Sequence, residues 1–433
     1  MSSALSDGIV SSSKIGSPAS LSLPGSPFQR LATLLQDIKP GMSPIELGVG
    51  EPRHDMPAFV GRVLSENLAD FQRYPPIKGS RAFRQSVSKW LDRRYELKGT
   101  IDPESAILPL NGSREGLFFA LFEARRRKPV ANPLVYSPNP FYQTYAAAAG
   151  SAGCQFLSPP EFDDPRFEGL PDFNRIEDDA LQNTVAVYIA SPANPQGNSA
   201  SSDYWTSLIQ LALKHDFMIF ADECYSEIYR DAPPSGILEA AQNSGSFANV
   251  ICFNSLSKRS NLAGLRAGFM AGDQKFIANL TKFRNMAAPQ VPLPVQAVAA
   301  AAFEDEDHVV ASRKLYNKKF DIATEILSDV LPFATPEGGF FLWLDCQKYA
   351  SGETMALHLW KEAGLKVVPG SYLTADDTDG NGRQHNKAHK KVRLALVHDI
   401  KTTTEALTRF KSCLDNMQQD MSMAADPFEQ ADR

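Results

Sequence analysis

The cysteines show no pairing pattern. There are five, at 154, 224, 252, 346 and 413, an odd number with neither a CxxC nor a Cys/His ligand spacing. That excludes a disulfide framework and predicts reduced thiols, as in a cytosolic protein. Charge of one sign is also lacking. With 44 Lys and Arg against 50 Asp and Glu the formal net charge is −6, which gives no general affinity for nucleic acid or membrane surfaces. Any basic cluster must then mark a local site. No run of 18 apolar residues is free of proline or charge, so no membrane span is expected. The first 26 residues hold one lysine, no arginine and no compact apolar core. This excludes a secretory signal or a transit peptide and predicts a flexible arm over 1–27. The polar, acidic end, 416–433, is expected to fray.

What is present is enough for two cores. The chain has 433 residues, 43% of them hydrophobic and 22% charged, which suits a globular protein of two domains. Short apolar runs recur from about 104 to 285: AILPL (106–110), PLVYS (133–137), VAVYIA (185–190), FMIFAD (217–222), VICFN (250–254) and AGFMAG (267–272). Near-continuous apolar character predicts strands buried on both faces of a mostly parallel sheet. Helical patterns at 114–127, 142–150 and 204–216 alternate with them, giving a doubly wound α/β domain with ligands at the strand C-termini.

PQVPLPVQ (289–296) interrupts this alternation. Beyond it lie a helical region near 295–329, GGFFLWLD (338–345), a helix near 353–363, LKVVPG (365–370) and VRLALV (392–397), a smaller α+β domain. The expected division is 28–53 as an N-terminal segment packing with the small domain, 54–290 as the large domain and 291–415 as the small one. His385 and His389 stand four apart in the polar stretch 374–391. Without helical pattern or a third ligand they read as a solvated loop, and no metal is expected.

The chemistry lies just past the strands. After AILPL, NGSREG opens a helix and presents free backbone N–H groups and a hydroxyl, as an anion cradle or as an ordinary capped helix start. After VAVYIA, SPANPQG holds Asn194 between two prolines. After FMIFA come Asp222, costly in a buried strand unless paired, and Tyr225. After VICFN comes SLSKRSNLAGLRAGF (255–269), where Ser255, Ser257 and Arg266 can converge on one phosphate beside Lys258. Each residue has a plainer reading: a helix cap for Asp222, a solvated lysine for Lys258, an ion pair for Arg266. Together they ask for one ligand with a phosphate, a cationic ring nitrogen, a phenolic oxygen and an aldehyde. Pyridoxal 5'-phosphate has all four.

NGSRE, PNPFYQTY, ASPANPQG, ADECYSEIY, SLSKRSNLAGLRAGF and VRLAL, in that order, resemble the fold-type I pyridoxal-phosphate aminotransferases of class I/II over residues 28–415. The resemblance implies an aspartate aminotransferase-like fold and a set of roles. Lys258 would carry the cofactor and shuttle a proton between the substrate Cα and the cofactor C4′. Asp222 would keep the ring nitrogen protonated, and Asn194 and Tyr225 would face the phenolic oxygen. Tyr142 would stack on the ring. Ser255, Ser257, Arg266 and the amides of Ser113 and Arg114 would hold the phosphate, with Tyr74 reaching the neighbouring subunit's phosphate in a homodimer. Arg393 would clamp the substrate carboxylate, closed over by the Gly50 backbone. Phe141, where many relatives have a small residue, would narrow the pocket.

The wording is nearest to the succinyldiaminopimelate aminotransferases of bacterial lysine synthesis. It implies transfer between glutamate and a succinylated ketopimelate, in the cytoplasm. Aspartate, aromatic or acetylornithine-like donors remain open, as does a C–S lyase on the same fold. Arg30, Arg53 and Arg259 are candidates for the distal carboxylate, each balanced by a plain surface ion pair. A non-catalytic regulator would need a DNA-binding module, for which the arm is too short and not basic.

Overall fold

In the computed structural model, residues 14–15, 26–162, 170–378 and 384–425 are described. An eight-stranded sheet forms the large core. Its order is Lys14–Ile15, Gln155–Leu157, Leu134–Tyr136, Thr184–Ala190, Met218–Asp222, Val250–Ser255, Gly268–Gly272 and Ile107–Leu110. The five strands from Gln155–Leu157 to Val250–Ser255 run parallel. Gly268–Gly272 is antiparallel to both its neighbours. Every residue of Met218–Asp222 and Val250–Ser255 is buried, including the polar Asp222, Asn254 and Ser255 that end their near-continuous apolar runs.

The register places the site. Ala190 pairs with Asp222 and Asp222 with Phe253, so three neighbouring strands end at one level. The loops carrying Asn194, Tyr225 and Lys258 all leave from that edge.

A second core is built on an antiparallel sheet of Phe341–Asp345, Lys391–Ala395 and Val368–Pro369. Ile45–Glu46 pairs in parallel with Leu365–Lys366 beside it. The helix Asp307–Leu327 enters this core with Phe320, Ala323 and Leu327.

Several expectations need correction. The helix Leu293–Glu304, assigned from sequence to the small domain, buries Val298, Ala299, Ala302 and Phe303 in the large core. Its prolines do not break it: Pro292 is the N-cap and Pro294 lies in the first turn, where no N–H is needed. Within the expected flexible arm, Lys14–Ile15 pairs antiparallel with Gln155–Leu157; positions 1–13 and 16–25 lie outside the described residues. The expected fraying tail is helical as far as 425, in Ile400–Ala425, and 426–433 lie outside the described residues. In the polar stretch, Asp377–Thr378 pairs with Gln384–His385, and 379–383 are not described.

All five cysteines are free and buried. Among the described residues no helix is long and apolar enough to cross a membrane.

Candidate active site

A cavity of about 500 Å³ opens at the strand C-termini, lined by Asp222, Tyr225, Lys258, Ser255, Asn194 and Arg393 among others. Lys258 sits on a one-turn helix, Leu256–Arg259, whose cap is Ser255: the Ser255 hydroxyl accepts from the Ser257 amide at 3.1 Å. The Lys258 Nζ donates to the Gly50 carbonyl and lies 5.3 Å from the Phe340 ring centroid. Burial pulls this amine down to about 8.

Asp222 ends its strand on the cavity floor. Its Oδ2 accepts from the Tyr145 hydroxyl at 2.8 Å and its Oδ1 from the Cys224 amide at 3.3 Å. Burial raises its carboxyl above the ordinary value, while these donors act the other way. The Tyr225 ring packs edge-on against Phe340 and Phe341, and burial pushes its phenol up.

Arg393 is 4% exposed on the strand Lys391–Ala395. It donates to the Gly48 carbonyl at 2.8 Å and to Asn194 Oδ1 at 3.1 Å, over the Phe341 ring at 4.3 Å. No ion-pair carboxylate faces it among the described residues, and its Nε has no partner. Burial lowers it to about 10. A buried guanidinium at a cavity wall offers the charge and planar fork that suit a carboxylate.

Several of the phosphate candidates lie close together. The Ser255 and Ser257 hydroxyls are 3.0 Å apart, and Arg266 Nη1 reaches Ser257 Oγ at 3.4 Å. Ser113 begins the helix Ser113–Arg127, with its hydroxyl 3.1 Å from Cys224 Sγ. Gly112 (φ 78°) lies so close that a Cβ there would sit 2.2 Å from Arg266 Nη2. That is a tight cradle of helix-start amides, hydroxyls and one guanidinium, the donor set a phosphate monoester needs. With an aldehyde-reactive lysine and a buried carboxylate at the same edge, the residues present fit pyridoxal phosphate. Tyr142 lines the cavity and its hydroxyl accepts from Arg114 Nε. Gly50 abuts Phe341 so closely that a Cβ would meet the ring at 2.6 Å.

Other expectations fall elsewhere. Tyr74 is 96% exposed and outside this cavity. Phe141 touches the cavity, but its ring is mainly in the core, 4.9 Å from Phe156. Arg30 lies over the Tyr372 ring at 3.9 Å, and neither it nor Arg53 lines the cavity.

Arg259 is no distal-carboxylate ligand either. It is 1% exposed, donating to the Ala302 carbonyl at 2.6 Å and to Glu306 Oε1 at 2.7 Å, against Trp90 and Phe303. It bolts the lysine-bearing turn to the helix Leu293–Glu304. Tyr145 was missed in the sequence, where its alanine-rich helix reads as plain packing. The phrase YQTY, with a second tyrosine three residues on, was the available signal.

The family model for aminotransferase class I and II matches residues 43–410. An LL-diaminopimelate aminotransferase of Maridesulfovibrio salexigens is 30% identical over 338 residues, 76% of this chain and 84% of that protein. A 4-dedimethylamino-4-oxo-anhydrotetracycline transaminase of Streptomyces rimosus is 32% identical over 333 residues, 76% and 85% of the two chains. Among solved structures, an aminotransferase from Neisseria meningitidis superposes with a TM-score of 0.83 at 36% identity, covering 90% of this chain and 98% of that one.

Proposed function

This chain belongs to the class I and II aminotransferases, which use pyridoxal 5'-phosphate, and we propose that it interconverts two amino-acid and 2-oxo-acid pairs of lysine synthesis. Glutamate and 2-oxoglutarate are one pair. N-succinyl-LL-2,6-diaminopimelate and N-succinyl-2-amino-6-ketopimelate are the other. The observation that carries this reading is Arg393, a buried guanidinium without a carboxylate partner among the described residues, facing the cavity. Around it the lining mixes apolar Phe28, Val49 and Leu373 with Gln143, Gln196 and Arg114. The apolar residues suit a methylene chain, the amides a succinyl amide, and Arg114 a further carboxylate.

Bound pyridoxal phosphate supplies the aldehyde that takes the amino group and the ring that draws electrons from the Cα–H bond. The protein does the rest. Ser255, Ser257, Arg266 and the amides at Ser113 and Arg114 hold the phosphate. Asp222 holds a proton on the ring nitrogen, and its low-dielectric setting strengthens that pairing. Tyr225 and Asn194 would hydrogen-bond the ring's phenolic oxygen, and Tyr142 would pack against the ring. Arg393, steadied by Asn194 and Gly48, fixes the substrate carboxylate and so orients Cα–H. Lys258 Nζ, buried and easily neutral, would serve as the base that takes up the substrate's Cα proton and gives it back on the cofactor side. A second copy is part of this reading: Tyr74, beside exposed Leu68 and Phe71, would complete its partner's phosphate site. The free thiols suit a cytoplasmic location.

A second reading takes LL-diaminopimelate without the succinyl group, favoured by relatives bearing that name. The test gives holoenzyme 2-oxoglutarate with N-succinyl-LL-diaminopimelate, LL-diaminopimelate, aspartate, tyrosine or N-acetylornithine, and measures glutamate. Fastest glutamate from the succinylated donor supports the first reading; fastest from the free diamine supports the second. An aspartate, aromatic or acetylornithine preference contradicts both, and pyruvate from cystathionine would reveal a lyase.

A further inference from the structure

The helix Asp307–Leu327 starts beside the lysine-bearing segment, where His308 Nε2 is 2.8 Å from Ser260 Oγ, and ends in the small core. On it is Lys319, which is 0% exposed and has no ion-pair carboxylate among the described residues. Burying a lysine without a counter-charge is costly unless hydrogen bonds satisfy its amine or it gives up its proton. Its Nζ donates to the Leu396 carbonyl at 2.9 Å and lies 2.7 Å from His54 Nε2, while His54 Nδ1 is 3.1 Å from Ser312 Oγ.

Both partners belong to the substrate side of the site. Leu396 follows Arg393 by three residues, and its amide donates to the Phe340 carbonyl at 2.9 Å. His54 ends the loop that begins at Leu47. That loop is laced to the Arg393 strand by Ala395 N to Leu47 O at 2.7 Å, Arg393 Nη2 to Gly48 O at 2.8 Å and Arg53 N to Val397 O at 3.2 Å. An aromatic stack links the same point to the catalytic lysine. His54 lies 4.6 Å from Tyr316, Tyr316 stacks on Phe340 at 5.3 Å, and Phe340 is 5.3 Å from Lys258 Nζ.

We propose that Lys319 is a positioning residue for the carboxylate clamp. With His54 it pins the 47–54 loop and the Leu396 carbonyl to the crossing helix, and so sets the Arg393 guanidinium relative to Lys258. The inference rests on the reading of Arg393 as the substrate's carboxylate receptor. Burial draws Lys319 down to about 7 and His54 down to about 4, which leaves His54 neutral and able to accept. Asp399 opposes the Lys319 shift, and burial, with smaller help from Arg53 and Lys319, lowers His398 next to it.

The experiment measures kcat and KM of holoenzyme for glutamate and 2-oxoglutarate in Lys319→Met, His54→Gln and His54→Leu, with melting temperatures and the cofactor absorbance. Lys319→Met keeps the volume and removes the donor. It is expected to raise both KM values about tenfold or more, with kcat changed less than about threefold, the scale of one buried hydrogen bond lost behind the clamp. His54→Gln keeps an acceptor and stays near wild type, whereas His54→Leu moves toward Lys319→Met. If Lys319→Met does not fold, the two His54 variants decide by the same KM criterion. A changed melting temperature with unchanged KM overturns the positioning role. A wild-type enzyme that moves no amino group from glutamate instead overturns the reading of the site, and the inference with it.

Discussion

The Tyr145 hydroxyl donates to Asp222 Oδ2 at 2.8 Å, and its ring lies flat on Tyr188 at 4.5 Å with 10° between planes. The stack fixes where the hydroxyl points, so this donor to the buried carboxylate is held rigidly. Tyr145→Phe removes that donor and drives the Asp222 carboxyl further above its ordinary value. Hydrogen bonds to charged groups contribute about 1.5–3 kcal/mol, so kcat should fall about 10- to 100-fold with KM little changed. Half-reaction kinetics on purified holoenzyme check this.

Lys258 gives a pH prediction. Burial lowers its amine from 10.5 to about 8, so in cofactor-free protein half of it is neutral near that pH. Only the neutral amine attacks the cofactor's aldehyde. The rate of cofactor loading should therefore rise with pH, with a midpoint near 8 where a solvated lysine would give one above 10. The stability consequence follows from proton counting. Between about 8 and 10.5 the unfolded chain binds a proton that the native apo-protein lacks, so the penalty this group imposes on folding shrinks as pH rises through that window. Loading followed by absorbance across pH, with thermal melts of the apo-protein, measures both.

Arg393→Gln keeps an amide donor but removes the charge. Losing a charge-assisted, bidentate carboxylate contact costs about 2–4 kcal/mol, so kcat/KM for glutamate should drop about 30- to 1000-fold. Cofactor absorbance should not change, because Arg393 holds no part of the phosphate cradle.

Arg259→Met should separate stability from chemistry. The Ala302 carbonyl loses its 2.6 Å donor in a buried setting, which costs about 1–3 kcal/mol. Denaturant unfolding should show that loss. Arg259→Lys should recover only part of it, since one ammonium cannot span Ala302 and Glu306 as the guanidinium does. KM for glutamate should remain near wild type.

Much of this architecture was legible because burial writes itself into composition. The runs at 185–190, 217–222 and 250–254 are nearly continuous in apolar residues because both faces of those strands are covered, with polar Asp222 and Asn254 only at the ends of two of them. What escaped is what depends on distant pairing. Gln155–Leu157 is too short for a period to register, and Lys14–Ile15 is a strand only because that edge is there to receive it. Leu293–Glu304 was assigned to the wrong core because its prolines read as a break when they mark a helix start. Arg259 and Lys319 look like surface cations in KRS and NKKF. Their partners, Ala302 with Glu306 and His54 with Leu396, lie 43 to 265 residues away.

The most direct measurement is borohydride reduction of the holoenzyme followed by peptide mass mapping. The account predicts one pyridoxyl-modified lysine, Lys258, with no label in Lys258→Ala. Adding glutamate before the reductant should abolish the label, because the cofactor then carries the amino group and no longer joins the lysine. A label on another lysine, or one that persists undiminished after excess glutamate, would contradict it.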